Sequence, residues 1–172
     1  MSALTPSEYK TLLTELQDRI RSERLMVVMA ANSALILLYW DIGQRILARQ
    51  KAKGWGAKVI TKLSKDLKKV FPDMTGLSTR NLKYMRAFAA AWPDIQIVQQ
   101  ALAQIPWSHN IALMEKLSDR ELRLWYAAMA VENGWSRNIL LFQLENRLHE
   151  RQGKALNNLS LIHISEPTRQ PC

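Results

Sequence analysis

Cysteine is all but missing from this chain: its 172 residues hold one, Cys172, at the last position. A lone terminal thiol excludes a disulfide framework and every Cys-based zinc or iron–sulfur site, and its scarcity fits a reducing cytoplasm. Histidine is nearly as scarce, and His109, His149 and His163 have no neighbours at metal-ligand spacing, so no metal site is expected. Glycine and proline number six each, too few for a fibrous or loop-dominated protein. Val, Ile and Thr never alternate with polar residues over a strand length, which removes β architectures. The opening MSALTPSEYK has neither a basic n-region nor an apolar h-region, so no secretion signal is read. The longest apolar run, residues 25–40, is interrupted by Asn32 and Ser33 and falls short of the ~20 residues that cross a bilayer. It reads as a buried helix, and no membrane partner is expected.

Catalytic constellations are missing too. There is no Gly-rich phosphate loop, no Ser/His/Asp arrangement and no Cys/His pair. A metal-dependent nuclease centre of the PD-(D/E)XK type needs a Pro-Asp followed by an acid and a lysine spaced D/E-x-K, which hold Mg²⁺ and polarise water. Pro72-Asp73 and Pro93-Asp94 have no such partner downstream, and the one Asp-x-Lys, Asp66-Leu67-Lys68, precedes both. The chain therefore reads as a non-enzyme with no catalytic residues, no cofactor and no small-molecule substrate.

What is there is apolar periodicity: 48% of residues are hydrophobic and 23% charged, and the apolar ones recur at three- and four-residue spacing, so the expected fold is an all-α multi-helix domain. Thr5-Pro6-Ser7-Glu8 is a capping box opening a long helix that runs to about Gln50, with Ser22 as the point where it would break. Its expected core stripe is Tyr9, Leu12, Leu13, Leu16 and Ile20, then Val27, Ala31, Leu35 and Leu38. Gly54-Trp55-Gly56 separates it from a second helix over about 57–71. Ser78 caps a third helix, to about Trp92, with Leu77 and Leu82 as its hydrophobic staple. A short helix follows over 94–103. Ser118 and Glu121 suggest a second capping box for a helix to about Glu132, and Ser136 caps a last one to about Arg151. The six tryptophans, at 40, 55, 92, 107, 125 and 135, sit at helix ends or on apolar stripes and read as core rather than as a base-stacking platform. His109, just after Pro106-Trp107-Ser108, reads as a locally bonded residue.

Residues 1–158 are expected to form one domain. Leu159 to Arg169 reads LSLIHISEPTR, which resembles the translation of a transposon-end adapter used in sequencing libraries, with 170–172 as read-through. On that reading residues 159–172 are not a domain, Cys172 and His163 carry no function, and the natural chain continues past about Asn158.

The charge is concentrated. The net charge is +9, yet residues 51–86 carry ten Lys and Arg against two acids, while residues 1–50 and 87–158 are close to neutral. One-sided clustering of this kind is the electrostatic footprint of a polyanion binder. At ~100° per residue Lys58, Lys62, Lys65 and Lys69 fall in one stripe of the second helix, with Val59, Ile60, Leu63, Leu67 and Val70 opposite. On the third helix Leu82, Met85, Phe88, Ala89 and Trp92 make the buried stripe and leave Arg80, Lys83, Tyr84, Arg86 and Ala87 outward. A lysine-lined helix, a turn over 72–77 and a helix carrying Arg, Lys and Tyr near its start follow the logic of a helix-turn-helix, the first helix on phosphates and the second in the major groove. The turn is longer than the tight three- to four-residue type.

Four stretches together, LYWDIGQRI (38–46), GWGAKVITKLSKDLKKVFPDMTGLSTRNLKYMRAFA (54–89), IPWSHNIALMEKL (105–117) and LWYAAMAVENGWSRNILLFQLENRLHERQGKAL (124–156), resemble the N-terminal helical domain of the YhcG family over residues 10–158. In those bacterial proteins the domain precedes a PD-(D/E)XK nuclease domain. The resemblance implies a DNA-binding role here, with Mg²⁺-dependent cleavage belonging to a domain that this sequence lacks, and no catalytic residue carries over. DNA is thus the expected partner. The alternative is a helical scaffold in which the long first helix pairs with a copy of itself or with another protein.

Overall fold

Thr5 fixes the start of the first element. Its hydroxyl accepts from the Glu8 N–H at 3.1 Å while the Glu8 carboxylate accepts from the Thr5 N–H at 2.7 Å, with Pro6 at the first helical position. The Thr5 backbone N–H, with the Thr5 hydroxyl beside it, holds the Glu8 carboxyl below its ordinary pKa. From this box α1 runs over Pro6–Lys53 as one helix, without the break expected at Ser22, and stops at Gly54 in the left-handed conformation. In the computed structural model residues 5–54 and 56–153 are described, so Trp55 and the segment 159–172 lie outside the described residues.

The order continues with α2 (Ala57–Val70), α3 (Thr79–Ala91), α4 (Ile95–Gln100), a 3-10 turn (Leu102–Gln104), α5 (Trp107–Lys116), α6 (Arg120–Asn133), α7 (Arg137–Glu145) and α8 (Leu148–Arg151). The described residues include no strand, and the fold is all-α. Ser78 caps α3 and Ser136 caps α7, each hydroxyl accepting from the N–H three residues on. Two boundaries differ from the sequence reading. Asp119, not Ser118, caps α6, because Arg123 donates to the Leu117 and Met114 carbonyls and holds the preceding turn one residue tighter. The last helix ends at Glu145 instead of Arg151: Arg147 takes a left-handed φ of 50°, and α8 turns back so that the Tyr126 hydroxyl bonds His149 Nδ1 at 2.7 Å.

The core forms two clusters that both hang on α1 and α3. One joins Tyr39 and Ile46 of α1 to Ile60 of α2 and to Leu82 and Met85 of α3. The other joins Ile36 and Phe88 to Val98, Leu113, Tyr126 and Leu140 from the later helices. Trp107 packs against both, its ring edge-on to Tyr39 at 4.9 Å and to Phe88 at 5.1 Å. Trp92 is buried and Trp40, Trp107, Trp125 and Trp135 are half-buried, as core tryptophans should be.

The stripe expected to bury α1 does not do so. Every residue from Thr5 to Ala31 is exposed, and Leu38 is exposed as well. The buried face is Ile36, Tyr39, Gly43 and Ile46, which at 100° per residue lies on the far side of the helix from Tyr9, Leu16, Ile20 and Val27. The run 25–40 is thus buried only from Ile36 onward. By length and composition α1 also includes a stretch apolar enough to cross a membrane, longer than the run of 25–40 suggested, and only 11% of that stretch is buried. Its second half is committed to the domain: Asn32 donates to the Ala103 and Ile105 carbonyls at 3.2 and 3.0 Å, and Ser33 to Ala103 at 2.8 Å.

Where α1 crosses α3 the two backbones touch. A Cβ at Gly43 would collide with the Met85 carbonyl and press on the Ala89 methyl, so this position is reserved for a residue without a side chain. Gly43→Val should destabilise the domain by about 3 kcal/mol or more, at the upper end of what overpacking a core costs, measured by urea unfolding.

Candidate nucleic-acid interface

The basic segment folds as a helix pair with a defined inside. On α2, Ile60 and Ser64 are buried, and the Ser64 hydroxyl donates to the Leu77 carbonyl at 2.6 Å. That bond ties α2 to the turn immediately before α3. Lys58, Lys62, Lys65 and Lys69 are all exposed on the opposite face, the arrangement expected from the periodicity. Between the outer lysines the helix rises about 17 Å, a span that faces roughly five charges of one DNA strand at ~3.4 Å each. Lys62 is not free, since its ammonium pairs with Asp66 at 3.3 Å on a solvated surface. Val70, expected on the packed side, is 67% exposed at the fraying end of the helix.

On α3, Leu82, Met85, Phe88 and Ala89 are buried as expected, and Arg80, Lys83 and Ala87 are exposed. Tyr84 is half-buried, and Arg80 leans over it: the guanidinium donates to the Tyr84 hydroxyl at 3.1 Å and lies 5.5 Å from the ring centre. This bond raises the Arg80 pKa further, so its charge is permanent. Arg86 does not join the group. It lies about 120° round α3 from Arg80, towards the packed side, and is half-buried.

The segment between α2 and α3 spans 71–78, longer than the turn of a tight helix-turn-helix, and it is held by a residue that the sequence reading passed over. Asn81 donates to the Gly76 carbonyl at 2.7 Å and accepts from the Trp107 indole N–H at 2.7 Å. Gly76 has φ 90°, and a side chain there would strike the Tyr39 hydroxyl. The short spacing Gly-x-Ser-x-x-Asn hinted at a capped turn, but only the fold brings Trp107 to it.

Beside this turn a groove of about 440 Å³ opens between α3 and α5, with Arg80, Tyr84 and Trp107 along it. Arg137, at the first position of α7, and Glu115 of α5 also line it, and no spacing in the sequence linked either to Arg80. Glu115 makes the groove mixed in charge. Among the described residues no group of three or more His, Cys, Asp or Glu is placed to hold a metal ion. His109 is buried with Nε2 2.8 Å from the Trp135 carbonyl, a bond that fastens α5 to the start of α7.

Fold and surface together define an all-helical domain with four lysines exposed on one face of α2 and, among the described residues, no group of His, Cys, Asp or Glu placed to hold a metal ion. Residues 15–151 match the DUF1016 N-terminal domain, and the chain belongs to that family, the N-terminal family of the YhcG type. No curated protein and no solved structure matches the chain.

Removing the Asn81 side chain leaves the Gly76 carbonyl and the Trp107 N–H without their partner. Asn81→Ala should therefore cost about 1–3 kcal/mol in thermal or urea unfolding, the price of two half-buried polar groups unpaired.

Proposed function

We propose that this domain binds the phosphate backbone of double-stranded DNA, with Lys58, Lys62, Lys65 and Lys69 of α2 on phosphates and Arg80, Lys83 and Tyr84 at the start of α3 nearest the groove. In longer chains of the same family it would tether a nuclease domain to its substrate. The observation that carries the reading is the lysine rail: four exposed ammonium groups on the face of α2 opposite its packed side. A charge spread evenly over the surface would argue only for solubility, whereas this one is confined to one helix pair. The exposed alanines of α3, Ala87 and Ala90, support close approach because they hold nothing back from a surface. Arg86 contributes to the field of this segment but is not placed at the groove, since it is half-buried on another side of α3.

The contact is expected to be mainly electrostatic and sequence-tolerant, with dissociation constants on the order of 10⁻⁴ to 10⁻⁶ M at physiological salt. Fluorescence anisotropy of a labelled random duplex, titrated at several salt concentrations, tests it. Each phosphate-bound lysine should contribute about 0.9 to the log–log salt slope, so replacing all four by alanine should lower the slope by about three to four. Lys62→Ala alone should change it least, because that ammonium already faces Asp66. An affinity and slope indifferent to the four replacements would sink the assignment.

A further inference from the structure

The first half of α1 carries an apolar surface that the domain does not use. Tyr9, Leu12, Leu13, Leu16, Ile20 and Val27 are 41–67% exposed and fall within about 100° of one another round the helix. The stripe continues past them through Ala30, Ala31 and Ala34 to Leu38. Leu13, Ile20 and Val27 follow one another at seven-residue intervals, with Tyr9 and Leu16 four residues ahead of the first two. That is the a/d pattern of a helix pair, with β-branched residues at two of the a positions and leucine at a d position.

Three observations bear on what covers it. The stripe lies on the opposite side of α1 from Ile36, Tyr39, Gly43 and Ile46, so two α1 helices can meet stripe to stripe with both domain bodies pointing outward. Residues 5–31 carry four acids and four bases, Glu8, Glu15, Asp18 and Glu23 against Lys10, Arg19, Arg21 and Arg24, so two copies do not repel. A helix built to lie on an anionic membrane surface is instead rich in Lys and Arg on its polar face. The six large side chains expose on the order of 600 Å², and the flanking residues bring this near the ~800 Å² per partner of a stable interface.

We infer that a second copy of this chain covers the stripe, and that the protein is a homodimer joined along the first half of α1. Glu23 is the one charge at a d position; its intrahelical pair with Arg19 at 3.4 Å keeps the carboxylate neutralised beside the seam. The inference is independent of DNA binding, since it uses none of the basic segment.

Sedimentation equilibrium of the full chain, from about 1 μM to about 1 mM, tests it. The wild type should sediment as a dimer. Leu16→Glu combined with Ile20→Glu should weaken association by at least about a hundredfold, as a buried like-charge seam must. Thr14→Glu, on the far side of the helix, should leave it unchanged. Both changes fall on exposed residues, so tryptophan fluorescence and the melting transition of the body should stay at wild-type values. A wild type that remains monomeric at the highest concentration overturns the inference, as does a dimer indifferent to the stripe changes. Monomeric protein that co-sediments with lipid vesicles through the same residues would assign the stripe to a membrane instead.

Discussion

Everything in this fold depends on how closely α1 can approach α3. At Gly43 the helix has no side chain, and the Met85 carbonyl and the Ala89 methyl occupy the space one would take. That close approach brings polar side chains of α1 to carbonyls that lack helical partners. Gln44 donates to the Ala89 carbonyl at 3.1 Å and Trp40 to the Trp92 carbonyl at 2.7 Å, both in the last turn of α3, where four carbonyls have no intrahelical acceptor role. Two to three turns earlier Asn32 and Ser33 do the same for the Ala103 and Ile105 carbonyls in and just after the 3-10 turn. So α1 is a spine in two senses: it supplies apolar area to both core clusters, and it satisfies backbone groups that would otherwise be buried unpaired.

The chemistry of helix ends was readable from the sequence because it is local. Thr5, Ser78 and Ser136 cap where their side chains and the following residues say they should. Ser118 and Asp119 compete for one end, both are good caps, and the helix begins after Asp119, with Arg123 of its second turn bonded back to the Leu117 carbonyl. The stop of α7 has no glycine or proline to announce it; Arg147 is left-handed where the chain turns to set His149 against Tyr126, a contact 23 residues apart that no short window includes. The lysine rail was readable because a charged face needs no partner to define it. The groove's Arg137 and Glu115, and the clamp of Asn81 on Trp107, were not, because each joins elements far apart in sequence.

For α1 the apolar stripe and the buried face differ for another reason. Periodicity says that one side of a helix is apolar; it does not say what lies against it. In a single globular chain the default is the chain's own core, and on that default the stripe from Tyr9 to Leu38 is expected to be buried. The chain instead docks the second half of α1 through the opposite face, where Ile36, Tyr39 and Ile46 alternate with small and polar residues, Asn32, Ser33, Gly43 and Gln44. An apolar signal of similar kind in the first half of the helix thus belongs to a surface outside the fold.

That surface is hard to explain by the stability of the helix itself. Residues 5–31 make no buried contact, and their ion pairs, Arg19 with Glu23 and Arg21 with Asp18, are solvated and worth a few tenths of a kcal/mol each. An exposed helix that only had to stay helical would gain by carrying Ala, Glu, Lys or Gln in place of Tyr9, Ile20 and Val27, which are poorer helix formers, and large exposed side chains of any kind promote unspecific association. Leu and Ile keep one phase from Leu12 to Ile20, and from Leu25 to Met29 the helix is apolar all round, with Leu25, Met26, Val28 and Met29 exposed off the stripe; so much apolar surface makes physical sense if a matching surface removes it from water. Basic and apolar surfaces are also segregated: the neutral stripe lies on the half of α1 that makes no buried contact, and the lysines lie on α2, beyond the end of α1. Pairing along the first would leave the second facing outward on each copy, so neither surface obstructs the other.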